Sequence, residues 1–353
     1  DQLLLEQQLV FETGSTFAPY GRRPVLLQFN PRASLIIGVY MHRDMLGAVS
    51  DLNGDILERR SRPSIPGEAG VEQLIDLVRE LLQVALAYGP PVRGVGIGAP
   101  SVVTYQEGIV EWAPSLRWRD VPLKARLEAA IGLPVFVENE VNLIALGESW
   151  RGAGRDVSNL VCLSLGPGIG AGIVLNGLLY RGTHNAAGEV GYLLPGTDYL
   201  GHAYDGYGCL EGLAGGTGIV HCARKLLDTG EPSCLAERCK DGEAELTAEL
   251  VLQAAYDGDA LALRVVEHIS DYLSLLVANT VCVLDPDRIV ISGDLVGFAD
   301  LFVPRIRARL EGALPHVPDL VVSDLRMDAA ILGALAMALF ETDGGLFVQK
   351  MQA

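Results

Sequence analysis

The pentapeptide Glu138-Asn139-Glu140-Val141-Asn142 gathers two carboxylates and two amides at one junction. There the strand-like run Pro134–Val137 gives way to the helical pattern Val141–Trp150. Ligands of open α/β sheets lie outside the carboxyl ends of strands, so this junction is a candidate binding site. Part of the cluster has a plainer use, since polar side chains at a helix start cap free N–H groups and acids meet the positive dipole end. A second signal is the series Gly166, Gly168, Gly170 and Gly172, which follows the apolar run Val161–Leu165. Glycines that cradle a dinucleotide or P-loop phosphate open a helix. Here they lead into two more apolar runs, Ile173–Leu175 and Leu178–Tyr180, split by Asn176-Gly177, a pair suited to a type I′ turn. The layout is strand, glycine turn, strand, which disfavours a dinucleotide fold.

The elements that must position these groups occur twice. The runs Leu35–Tyr40, Leu46–Asp51 and Asp55–Arg60, with a turn at Asn53-Gly54, parallel the later set, and Leu52-Asn53-Gly54 matches Leu175-Asn176-Gly177. Each meander leads to a helix and another strand. In the first copy the helix Val71–Tyr88 shows apolar spacing at Leu74, Leu77, Val78, Leu81, Leu82 and Ala85, followed by the strand Val92–Ile97. Two copies of one unit imply a duplicated α/β architecture with a cleft between halves, and clefts are default ligand sites. The remainder reads as mostly helical. It holds a long buried helix Ala260–Leu284, strands Arg288–Ser292 and Leu320–Ser323, a helix Ala329–Phe340 and a loose tail after Asp343.

Leu165, Gly168, Ile169, Gly170, Gly172, Ile173, Gly182, Gly188 and Gly191 resemble the signature of the ROK family, which groups bacterial sugar kinases with sugar-responsive repressors. The resemblance implies a duplicated actin-like ATPase (ribonuclease H-like) fold of two lobes with a central cleft. A small α/β lobe would span residues 33–141 with a returning helix at 328–342, and a large lobe residues 142–327. It implies monosaccharide contacts from Gly98, Pro100, Asn139, Glu140, Glu189, Tyr192 and Glu211. Tyr192 stands where the signature has a basic residue, most often His. Ser115 stands where the family often has Asn, and Trp112 and Trp118 are candidates to stack on a sugar or to pack.

The same resemblance sets out what a kinase needs and what this chain lacks. The family's first phosphate loop reads D-x-G-G-T, but residues 39–44 here are Val39-Tyr40-Met41-His42-Arg43-Asp44. The catalytic base is Asp in the kinases and Glu140 here, one methylene longer, which matters for a base that must lie within about 2.6–3.2 Å of its proton. Gly166, Gly168 and Gly170 then form a vestigial phosphate loop, and Asp294 puts a carboxylate where kinases have a second glycine. In zinc-bearing members a cysteine cluster precedes the Cys209-Leu210-Glu211 position; Cys209 survives and His202 stands nearby, short of the four ligands a structural zinc needs. No cofactor and no metal are expected.

The segment before the first meander does not read as part of an enzyme. Leu3, Leu4, Leu5, Leu9 and Val10 look like the end of an apolar helix, and Arg22-Arg23 lie before the strand Val25–Phe29. This resembles the LxxxxLVxExG…GRRPxLLxxNP segment of ROK repressors, so residues 1–32 are expected to be the remnant of a winged helix-turn-helix. Arg22 and Arg23 on the wing suit phosphate or minor-groove contact. The recognition helix is not in the sequence, and the net charge of −17 argues against a broad nucleic-acid surface on what is. With 49% hydrophobic residues the chain can bury large cores, yet no run reaches the ~20 apolar residues of a membrane span. Six scattered cysteines and no visible signal peptide suit reduced thiols in a cytoplasm. The expectation is a cytoplasmic, sugar-responsive regulator, a homodimer that binds DNA through its missing head and no membrane. The rival is an active sugar kinase using ATP and magnesium; a third reading is a scaffold that binds a protein partner.

Overall fold

A computed structural model describes residues 8–15, 25–204, 207–239 and 245–342. The chain divides into two compact units, Asp1–Leu143 with Ala330–Ala353, and Ile144–Ala329.

The first unit begins with an antiparallel hairpin, β1 (Val10–Ser15) against β2 (Val25–Phe29), with Val10 opposite Phe29. Val10 therefore opens a strand rather than ending a helix, as befits a β-branched residue followed by an aromatic. Arg22 and Arg23 lie outside the described residues. Next come β3 (Leu35–Met41), β4 (Asp44–Asp51), β5 (Ile56–Pro63), α1 (Glu68–Leu86) and β6 (Val92–Ala99). A small antiparallel sheet of β7 (Val103–Thr104), β8 (Ile109–Ala113) and β9 (Trp118–Pro122) precedes α2 (Leu123–Ile131) and β10 (Val135–Asn139). The main sheet has the order β5-β4-β3-β6-β10, antiparallel in its first two pairings and parallel in the other two. All seven residues of β3 are buried, the run expected of a strand covered on both faces, and α1 lays Leu74, Leu77, Val78 and Leu81 into the same core.

The second unit repeats the scheme. Its strands are β11 (Leu160–Leu165), β12 (Ile169–Leu175), β13 (Leu178–Leu179), β14 (Arg288–Ser292) and β15 (Asp319–Val322), in the order β13-β12-β11-β14-β15. The first two pairings are antiparallel and the other two parallel, so sheet order and direction match the first unit strand for strand. This is the ribonuclease H-like order, present twice, as in the duplicated actin-like architecture. A 25-residue helix, Ala260–Leu284, runs through the core of this unit, capped by Asp259, whose carboxylate accepts from the Ala262 N–H at 3.0 Å. The division between the units falls inside two helices, Glu140–Arg151 and Asp328–Thr342.

Candidate functional site

In the first unit the polar pentapeptide sits where β10 ends and the helix Glu140–Arg151 begins. Asn139 accepts through Oδ1 from the N–H groups of Val141 (2.7 Å) and Asn142 (3.4 Å), and its Nδ2 donates to the Ser101 carbonyl at 2.9 Å. Glu138 is buried and takes bonds from the Asn139 N–H (2.9 Å) and Asn142 Nδ2 (3.0 Å). These three side chains thus build the helix start, and Glu140 is left as the group with chemistry to offer. Its Oε2 accepts from the Tyr40 phenol at 3.1 Å and lies 3.7 Å from His42 Nδ1, while the Tyr40 and His42 rings stack with centroids 6.0 Å apart. Neither Tyr40 nor His42 was singled out as a partner from the sequence. The signal available was their place at the end of β3, where Tyr40 pairs with Gly98 of the parallel strand β6. Gly98 has a packing use there, since a Cβ on it would meet Leu143 Cδ1 at 2.7 Å and the Tyr40 ring at 3.3 Å. Pro100 follows, half-buried, and Ser101 Oγ bonds to the Trp112 backbone at 2.6 and 3.2 Å. Of the two tryptophans, Trp118 is core, its indole donating to the Gly67 carbonyl at 2.8 Å, whereas Trp112 is exposed beneath the Arg119 guanidinium. Ser115 is exposed.

The two turns expected at phosphate-loop positions, β3–β4 and β11–β12, are each closed by backbone bonds. Strands β3 and β4 stay paired out to Met41 opposite Met45, and the His42 N–H bonds across the turn to the Asp44 carbonyl at 3.0 Å. The turn is made by His42 and Arg43 and holds no glycine. In the second unit the β11–β12 turn is closed by a bond from the Gly166 N–H to the Gly168 carbonyl, 3.0 Å. Carboxylates stand on both sides of it. A Cβ on Gly168 would lie 2.7 Å from Glu211 Oε1, and one on Gly166 would lie 3.7 Å from Asp294 Oδ2. Gly170 lies within β12, opposite Ser164. Like charges at such range oppose a phosphate strongly where water is scarce.

Glu189 and Glu211 form the other polar group of the second unit. Gly188 straps their segment to β12. Its φ is +91°, a Cβ would strike the Ala171 carbonyl oxygen at 1.8 Å, and its own carbonyl accepts from the Ala171 N–H at 2.8 Å. Glu189 is half-buried, its carboxylate has no hydrogen-bond or ion-pair partner among the described residues, and burial pushes its pKa up. Glu211 lies in the first turn of the helix Cys209–Ala214. Burial raises its pKa, the Gly208 N–H works the other way, and the charge of Glu189 raises it further. Tyr192 closes the short turn after Glu189 and is 62% exposed. At the cysteine position the Tyr204 phenol is bonded to Cys209, which pushes it up to about 12, and it reaches the Tyr199 carbonyl at 3.4 Å. Tyr199 and Tyr272 join hydroxyls at 2.9 Å, so tyrosines surround the surviving thiol, while His202 is exposed. Among the described residues no group of three or more His, Cys, Asp or Glu could hold a metal ion.

Comparison with known proteins covers almost the whole chain. It is 31% identical over 346 residues to the xylose repressor of Caldicellulosiruptor bescii, a match spanning 95% of this chain and 86% of that protein. It is also 38% identical over 245 residues to the glucokinase of Halalkalibacterium halodurans, spanning 68% of this chain and 74% of the glucokinase. Among solved structures, a ROK family transcriptional regulator, homolog of the E. coli MLC protein, superposes with a TM-score of 0.83 at 28% identity, covering 100% of this chain and 90% of that one. Residues 37–341 match the ROK family, to which this chain belongs.

Proposed function

We propose that this chain is the effector-binding part of a sugar-responsive transcriptional repressor, with a monosaccharide as effector. The observation that carries the proposal is the state of Glu189. It is a carboxylate drawn out of water, beside a second carboxylate, with no donor among the described residues to satisfy it. Carboxylates raised by burial and left unsatisfied in this way are candidates for ligand binding. A ring of sugar hydroxyls supplies the missing donors, and Glu211 would accept from further hydroxyls; in the first unit Glu140 offers another acceptor and the Asn139 amide its second N–H. Gly98 and Pro100 serve as backbone neighbours of Tyr40 and Ser101, and Tyr192 borders Glu189. The name of the Caldicellulosiruptor relative makes D-xylose the first candidate. DNA would be bound through a head joined to the hairpin Val10–Phe29, with Arg22 and Arg23 on its wing, by a homodimer in the cytoplasm. Residues 33–141 and 142–327 would act as the two lobes.

Titration calorimetry with a panel led by D-xylose tests this. A charge-assisted hydrogen bond contributes about 1.5–3 kcal/mol, so Glu189→Ala or Glu211→Ala should weaken binding by roughly ten- to a hundredfold. A sugar that binds both variants as tightly as the parent chain would place the site elsewhere.

A second reading, an ATP-dependent sugar kinase, is favoured by the identity to a glucokinase. Against it stand the paired turn at Met41–Met45 and the carboxylates of Glu211 and Asp294 flanking the glycine hairpin. A coupled assay with hexoses, pentoses and amino sugars separates the two, since kinases turn over at about 1–100 s⁻¹.

A further inference from the structure

We infer that Tyr40 is a positioning residue for effector recognition: its phenol holds one oxygen of Glu140 so that the other is presented to a sugar hydroxyl. The inference rests on the reading of Glu140 as a sugar-binding group.

The strand register brings the two side chains together across the sheet. Tyr40 pairs with Gly98 on β6, and Asn139, next to Glu140, pairs with Ala99 on the same strand. The Tyr40 ring is buried at 3% exposure, and its hydroxyl donates to Glu140 Oε2 at 3.1 Å. His42, two residues on, stacks almost parallel to it, at 8°, with Nδ1 3.7 Å from that same oxygen. Both approaches fall on Oε2, so a ligand hydroxyl would be received by Oε1.

A glutamate side chain has three rotatable bonds, and ordering it on binding opposes affinity. A phenol that fixes the carboxylate beforehand removes that cost. An acidic residue at position 40 would instead repel Glu140. The same change that removes phosphate chemistry from the β3–β4 turn therefore gives Glu140 a neutral donor. Gly98 is part of the arrangement, because Leu143 and the edge of the tyrosine ring crowd the space a Cβ would take.

Calorimetry with D-xylose and D-glucose as probes, on the parent chain, Tyr40→Phe, Glu140→Ala and the double variant, decides the matter. Phenylalanine keeps the ring and its stacking, so the unliganded melting temperature should stay at the parent value. Tyr40→Phe should weaken the binding sugar by about tenfold, the worth of one hydrogen bond. The double variant should bind no worse than Glu140→Ala alone, because the phenol acts only through the carboxylate. Additive losses would put Tyr40 in direct contact with sugar and overturn the inference, as would a drop in melting temperature that accounts for the weaker binding. If Tyr40→Phe binds like the parent while Glu140→Ala is weakened, Tyr40 positions nothing and the effector reading stands. If Glu140→Ala also binds normally, or neither sugar binds, Glu140 is not a recognition group for these sugars and the inference falls with it.

Discussion

Glu189 and Glu211 carry a cost that a ligand would relieve, and that cost has a pH signature. Both carboxyls titrate above their ordinary range, Glu189 through burial and Glu211 through burial and the charge of Glu189. The folded chain therefore retains protons that the unfolded chain has already released. Stability from such groups is fully present below the unfolded carboxylate value, about 4.3, and is lost as pH rises through the raised folded values. Glu189→Gln removes the charge and keeps the shape. It should melt above the parent protein at neutral pH without sugar, and the difference should close as the solution is acidified into the carboxylate range. An equal gain at every pH would point to packing rather than charge. At this scale the sequence was only partly legible. Glu189 and Glu211 stood in a recognisable motif, but the Tyr40–Glu140 bond joins residues a hundred positions apart, and no local pattern encodes it. Tyr40 was visible as a bulky residue where a loop needs small ones, and its partner was not. Asn139 shows the reverse: the helix-cap chemistry written in Glu138–Asn142 accounts for most of what its amide does.

Element patterns were more legible, because strand and helix periods are local and were repeated. The buried helix Ala260–Leu284 and the strand Arg288–Ser292 have the ends the sequence predicts. The two Leu-Asn-Gly turns show where identical residues part company. In the second unit Asn176 and Gly177 have φ of 53° and 74° and join β12 to β13 directly, the two-residue hairpin expected. In the first unit Asp51 turns the chain instead, its Oδ1 accepting from the N–H groups of Asn53 (2.9 Å) and Asp55 (3.0 Å). The run Leu178–Tyr180 yields a strand of Leu178–Leu179 only, and β7 to β9 were not foreseen as a sheet. Glycine substitutions should separate conformational from steric demand. Gly177→Ala, at a φ of 74°, should cost about 1–2 kcal/mol in chemical unfolding and leave sugar affinity unchanged. Gly188→Ala should cost more and also weaken sugar binding, because its methyl would drive the segment bearing Glu189 off the Ala171 carbonyl. Equal effects of the two on binding would mean that the Gly188 strap does not position Glu189.

For the whole molecule, the duplication explains why repressors and kinases share one fold and why this chain need not share the chemistry. A kinase of this architecture takes a phosphate loop from each copy of the β-meander. Here the first copy keeps β3 and β4 paired out to Met41–Met45, and the second sets Glu211 and Asp294 beside its glycine turn. Each would obstruct a nucleotide independently, the first by shape, in the unit 1–143 with 330–353, and the second by charge, in the unit 144–329. Relieving one leaves the other, so Asp294→Gly alone should not restore nucleotide binding. A ligand that binds only the folded state stabilises it by about 2.7 kcal/mol at a hundred times its dissociation constant. Millimolar Mg-ATP should therefore leave the melting temperature of the parent chain and of Asp294→Gly unmoved, while the effector sugar raises both. A nucleotide-dependent shift in the parent chain would show that the paired turn opens to admit phosphate. A shift seen only in Asp294→Gly would make charge the sole barrier and the first turn irrelevant to it.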